Sequence, residues 1–132
     1  MADEVLIVED DIQTQLLMSK VLEKVGVSSI SVSSAEAALE LLSTKEFFLI
    51  LSDINLPGLT GTDLAKKIRA QEAGTSHHTF LVAITGHVDE YTRAKCIEAG
   101  MDGYLTKPLD RLKLQSFVQK VMNGRKASAP TS

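Results

Sequence analysis

Residues 47–53 read Phe47-Phe48-Leu49-Ile50-Leu51-Ser52-Asp53. Five apolar residues in succession, Phe47 to Leu51, suit a strand covered on both faces, as in a parallel sheet between two layers of helices. Ser52 and Asp53 end the run, and Gly58 and Gly61 follow before the next periodic segment. Two other runs have the same character, Val5-Leu6-Ile7-Val8 and Phe80-Leu81-Val82-Ala83-Ile84. Ser29-Ile30-Ser31-Val32 and Gly103-Tyr104-Leu105-Thr106 are weaker strand candidates, and their polar or short character suits sheet edges.

Between these runs the apolar period lengthens to that of a helix. Leu17, Met18, Val21, Leu22 and Val25 form one stripe, closed by Gly26. Ala35, Ala38, Leu39 and Leu42 form a second, with Ser33 and Glu36 at capping-box spacing. Leu64 and Ile68 mark a third helix, and a fourth runs from about Asp89 to Ala99 and stops at Gly100. The fifth carries Leu114, Phe117, Val118 and Val121, with Gly124 just beyond. Five strands alternating with five helices predict an α/β domain with a doubly wound parallel sheet. Central strands 1, 3 and 4 with edge strands 2 and 5 give the flavodoxin-like order 2-1-3-4-5.

A chain of 132 residues has room for one domain, expected over residues 1–124, with 125–132 a disordered polar tail. Its 44% hydrophobic and 23% charged residues are those of an ordinary globular protein. A net charge of -3 gives no reason to expect nucleic acid or a membrane surface as partner. The single cysteine, Cys96, rules out an internal disulfide and suits a reducing compartment. Asp3 and Glu4 stand where a signal peptide would be basic, and no apolar run could span a bilayer. A cytoplasmic protein is expected, and Met1 with the short polar tail favours a complete chain.

In such a sheet, ligands bind beyond the carboxyl ends of the strands, where the strand order switches. Glu9 and Asp10 follow strand 1, Asp53 ends strand 3, Thr85 ends strand 4 and Lys107 follows strand 5. The fold would therefore gather at one rim polar groups that lie far apart in the chain. Carboxylates about 4 Å apart repel by roughly 4 kcal/mol per pair at an effective dielectric of 20. Three of them must share protons or hold a cation, and an all-oxygen set suits Mg²⁺ or Mn²⁺. A carboxylate beside such an ion, a lysine and a hydroxyl is equipped to receive a phosphoryl group.

Four stretches carry a family resemblance: Val5-Leu6-Ile7-Val8-Glu9-Asp10-Asp11, Ser52-Asp53-Ile54-Asn55-Leu56-Pro57-Gly58 with Gly61, Ile84-Thr85-Gly86, and Ala99 through Pro108. Together they resemble the response regulator receiver domains of two-component systems, and the last stretch is most similar to receivers attached to hybrid sensor kinases. The resemblance implies a phosphoacceptor at Asp53 and a Mg²⁺ site made by Asp10, Asp53 and the backbone carbonyl of Asn55, with Glu9 acting mainly through water. It implies that Thr85 and Lys107 contact the phosphoryl oxygens, that Gly86 leaves access open beside them, and that Lys107-Pro108 is a cis peptide. Tyr104 would switch with Thr85 and alter the surface of helix 4, strand 5 and helix 5. Asn55 and His87 would tune dephosphorylation. The implied partners are a histidine kinase or histidine phosphotransfer protein and a downstream protein. The chain would be a phosphoacceptor signalling domain rather than an enzyme, though it promotes its own phosphorylation and dephosphorylation.

Each residue also has a plainer reading. Asp53 could cap a turn, Asp11 is expected to cap the first helix, Lys107 could be solvated, and Tyr104 could be a static edge aromatic. His77 and His78 are expected in a solvated loop without ligand partners, and Cys96 as a small helix residue. An aspartate-nucleophile phosphatase would want a second aspartate where Asn55 stands. A flavin carrier would want a hydroxyl- and glycine-rich phosphate loop where Glu9, Asp10 and Asp11 stand. A degenerate receiver used only for docking is a further alternative, disfavoured by the intact acids, hydroxyl and lysine.

Overall fold

The computed structural model describes residues 4–86 and 89–131, with side chains described up to Gly124. Within them run β1 Glu4–Val8, α1 Ile12–Lys24, β2 Ser28–Val32, α2 Ala35–Leu42, β3 Leu49–Asp53, α3 Gly61–Glu72, β4 Phe80–Thr85, α4 Glu90–Glu98, β5 Gly103–Thr106 and α5 Arg111–Thr131. The strands form one parallel, flavodoxin-like sheet in the order β2-β1-β3-β4-β5.

The apolar runs behave as continuous burial requires. All of β3 is buried, as are β1 and β4 beyond their first residues, whereas β2 and β5 at the edges are mixed. Alternate residues supply two cores. Leu6, Val8, Ile50, Leu81 and Ala83 pack against Ala35 and Ala38 of α2, Leu64 and Ile68 of α3 and Cys96 of α4. Val5, Ile7, Leu49, Leu51, Val82 and Ile84 pack against Met18 and Leu22 of α1 and Leu114 and Val118 of α5.

Three local expectations need correction. Strand β3 starts at Leu49, two residues after the apolar run begins, because Phe47 is spent on the α2–α4 core and pairing with β1 opens at Val5 opposite Leu49. It then continues through Ser52 and Asp53, which are polar yet buried. The N-cap of α2 is Ser34, whose hydroxyl accepts from Ala37 N at 3.1 Å. Ser33 instead meets the side-chain amide of Gln15, and Glu36 accepts from Leu59 N at 3.3 Å. Helix α5 runs past Gly124 to Thr131. The expected cap of α1 is present, with Asp11 accepting from Thr14 N at 2.9 Å.

At the amino-terminal rim of the sheet, Arg69 ties three segments together: α3, the stretch before β4 and the turn between α4 and β5. Its guanidinium donates to Gly100 O at 2.8 Å, Thr79 O at 2.9 Å, Glu72 Oε1 at 2.6 Å and Asp102 Oδ2 at 2.8 Å. Asp102 Oδ2 also accepts from Leu81 N at 2.8 Å. His77 and His78 are exposed in the α3–β4 loop, as expected, and each has a hydrogen-bond partner there. His78 Nε2 lies 3.0 Å from Asp102 Oδ1, and His77 Nε2 lies 3.0 Å from Thr79 Oγ1. Burial alone would raise the Glu72 pKa, but bonds from Thr79 and Arg69 outweigh it and hold the carboxyl below its ordinary value.

Candidate functional site

The opposite rim carries the acids. Glu9, immediately beyond β1, is fully buried, and Asp53 at the end of β3 and Thr85 at the end of β4 are nearly so. Lys107, one residue past β5, is brought across the sheet to them. Its ammonium sits 3.0 Å from Asp53 Oδ2 and 3.1 Å from Glu9 Oε1, while its backbone N–H donates to Thr85 O at 2.8 Å. The Lys107-Pro108 peptide is cis, as the resemblance implied.

Other bonds set the carboxylates in place. Asp53 Oδ1 accepts from Asn55 N at 2.9 Å, and Glu9 Oε2 accepts from Asp11 N at 3.0 Å. Gly61 lets α3 begin hard against the strand, since a Cβ there would lie 2.4 Å from Asp53 O. Gly86 faces open space where a side chain would be. Asp10 is exposed, yet ligand oxygens of Glu9, Asp10 and Asp53 lie within 4.8 Å of one another.

The charge balance at this rim is unfavourable without a cation. One ammonium faces three carboxylates. Burial, together with the negative charge of Asp53, pushes the Glu9 pKa up against the lowering effect of Asp11 N–H and Lys107. Burial would depress the Lys107 pKa, but its hydrogen bond to Asp53 and its ion pair with Glu9 carry it upward. Glu9 Oε1 touches the Lys107 ammonium, but no aligned hydrogen bond satisfies it. A buried carboxylate oxygen left in that state, beside two more carboxylates, fits a hard divalent ion reached directly or through water. The donor set is all oxygen, which favours Mg²⁺ or Mn²⁺ over softer metals.

Tyr104 of β5 pairs with Ala83, and Thr106 with Thr85, so the ring and the Thr85 side chain emerge on one face of the sheet. Tyr104 is 37% exposed, at the edge of a cleft of about 130 Å³ between α4 and β5. His87, implied to tune dephosphorylation, lies outside the described residues. Sequence reading passed over Gln15, whose amide reaches Glu9 O and the end of β2. Nothing in its spacing marks it, because its partners come from other segments.

A doubly wound parallel sheet whose carboxyl rim holds acids, a hydroxyl and a lysine has the form of a signalling receiver. Comparison with known proteins makes the assignment definite. Residues 5–119 match the response regulator receiver domain family, and the chain belongs to it. It is 33% identical over 120 residues to the sensor protein GacS of Pseudomonas syringae pv. syringae, covering 90% of this chain and 13% of that protein. It superposes on the receiver domain of sensor histidine kinase PA1611 from Pseudomonas aeruginosa PAO1 with a TM-score of 0.81 and 31% identity, over 93% of this chain and 99% of that one. That structure has a magnesium ion coordinated in its active site cleft. The chemotaxis response regulator CheY4 of Vibrio cholerae gives a TM-score of 0.81 at 25% identity, over 92% and 99% of the two chains. The chain thus spans a small fraction of the length of the sensor proteins it matches. It is a receiver domain of two-component phosphorelay signalling, homologous to the receivers of sensor kinases.

Proposed function

We propose that this receiver accepts a phosphoryl group from a phosphohistidine onto Asp53. The observation that most supports the reading is the Lys107 ammonium, held between the buried Asp53 and Glu9 carboxylates at a rim where Asp10 joins them. In the transfer, an Asp53 carboxylate oxygen forms the new P–O bond as the P–N bond to the donor imidazole breaks. The bonding pair returns to the ring nitrogen. Asp10, Asp53 and the Asn55 backbone carbonyl would hold Mg²⁺ or Mn²⁺, with Glu9 acting through water. Bound there, the ion neutralises charge on the transferring group. Lys107 and the Thr85 hydroxyl take the phosphoryl oxygens, and Asn55 and His87 tune how fast water removes the group.

Tyr104 is the reporter of this state. Movement of Thr85 toward the phosphoryl group frees space on its face of the sheet, and the ring turns inward. The surface of α4, β5 and α5 then changes, a population shift between two packings. Large apolar side chains are already exposed there, with Tyr91 and Ile97 on α4 and Leu112 on α5, and they suit a downstream protein partner. The donor is a histidine kinase or histidine phosphotransfer protein. On this reading the receiver domain comprises residues 1–124, with residues 125–131 extending its last helix, and it works in the cytoplasm without nucleic acid or membrane insertion. Among the described residues no helix is long and apolar enough to cross a membrane.

Acetyl phosphate with Mg²⁺ should add one acid-labile phosphoryl group, read as a mass increase. Chelation or Asp53→Asn should abolish the increase, and full labelling of Asp53→Asn would move the acceptor elsewhere.

A further inference from the structure

We propose that Gln15 is a positioning residue of the acid pocket: its side-chain amide fixes the peptide between Glu9 and Asp10 and so sets the pocket's affinity for a divalent cation. The inference rests on the Mg²⁺ reading above and extends it to a residue that touches neither ion nor phosphoryl group.

Gln15 lies on the first turn of α1, and its Nε2 is 2.5 Å from Glu9 O, 3.3 Å from Val32 O and 3.3 Å from Ser33 Oγ. The two carbonyls can only accept, so the nitrogen end of the amide must face them. Glu9 is thereby held at three points. Its N–H donates to Val32 O at 3.0 Å, its Oε2 accepts from Asp11 N, and its carbonyl accepts from Gln15.

Asp10 is in a different position, being exposed and next in the chain. Without a cation, repulsion from Glu9 and Asp53 favours an Asp10 carboxylate turned to water over one gathered with them. The peptide that Gln15 grips is the one that aims Asp10, so the grip keeps the three carboxylates within ion-sharing distance. By reaching Val32, Gln15 also references this loop to the end of β2 as well as to its own helix. A cation site assembled in advance binds more tightly than one that must first be gathered.

Amide shifts of Asp10, Asp11 and Asn55 in the ¹⁵N-labelled chain, titrated with magnesium chloride, test this. Gln15→Leu should weaken Mg²⁺ binding about three- to tenfold, the worth of one neutral hydrogen bond expressed as an equilibrium constant. Ser33→Ala, which removes only the loop contact, should bind as wild type does. The side-chain amide signals of Gln15 in the wild-type chain should shift with the same midpoint as Asp10, a readout that needs no variant. Wild-type affinity in Gln15→Leu, an equal loss in Ser33→Ala, or Gln15 signals that ignore Mg²⁺ would each overturn the role. If the wild-type pocket amides themselves show no saturable shift, the Mg²⁺ reading falls and takes this inference with it. If they titrate and Gln15→Leu matches them, only the role of Gln15 falls.

Discussion

Gly61→Ala and Gly124→Ala are the same chemical change, and the structure predicts opposite signs for them. Gly61 opens α3 directly behind the proposed acceptor strand, with its amide donating to Ile54 O at 3.1 Å. A methyl added there would sit 2.4 Å from Asp53 O and 2.7 Å from Ile54 Cα. Ordinary carbon contacts lie at about 3.5–4.0 Å, so the overlap is on the order of an ångström. Both obstructing atoms are backbone, and neither can rotate away. Forced shifts of that kind cost about 1–3 kcal/mol. Alanine returns at most about 1 kcal/mol of helix propensity, and less at a helix's first residue. The balance is a net loss of about 1–2 kcal/mol. Gly124, within α5, has nothing within 4 Å of its added methyl, so only the propensity gain remains. Urea unfolding in chelator reads both. With a slope of about 2 kcal/mol per molar, the middle of the usual range, the Gly61→Ala midpoint should fall by about half to one molar. Gly124→Ala should match wild type or exceed it. The reasoning is refuted if Gly61→Ala unfolds at or above the wild-type midpoint.

Further expectations concern charge and burial. Lys107→Ala leaves Glu9 and Asp53 facing each other uncompensated, and should lower metal-free stability by about 1–3 kcal/mol, below the value for a fully buried pair because the lysine is partly exposed. Mg²⁺ should recover part of that loss, and phosphorylated Lys107→Ala should lack the α4 chemical-shift changes of wild type; an unchanged urea midpoint in chelator contradicts the charge argument. Glu72 has a depressed pKa, so its contribution is present above its unfolded value near 4.5 and is lost as pH falls through the lower folded value. The stability deficit of Glu72→Gln should therefore shrink in acid below that value, whereas a pH-independent deficit from thermal melts would show that packing matters instead. Cys96 is nearly buried and burial pushes its thiol pKa up, so a thiol reagent should label it far more slowly in the native chain than in urea. Equal rates would mean that the core under α4 is open.

The strands were legible because helices on both faces remove the alternation that usually disguises a strand. The acid rim was legible for a related reason: polar residues that end apolar runs must emerge at one edge once the runs lie parallel. Local chemistry alone misjudged smaller choices. Ser33 and Ser34 are equally good caps in isolation, and the distant amide of Gln15 engages one of them, leaving the other to cap α2. His78 is as exposed as its loop suggests, but its partner Asp102 lies 24 residues on, and Arg69 reaches 33 residues to the same carboxylate. Such pairings depend on which turns the fold places side by side, and no window along the chain contains both partners.

The Arg69 knot also constrains the geometry of any motion. Helix α4 starts at the carboxyl rim, just after β4, and finishes beside Gly100, whose carbonyl that guanidinium grips. A rod pinned at its far end cannot slide bodily along the sheet when its near end is pushed. If Thr85 moves as proposed, the helix would pivot instead, and the exposed face around Tyr91 would sweep a wider arc than the face around Ile97. A binding partner seated toward the first turn would therefore feel the signal most strongly.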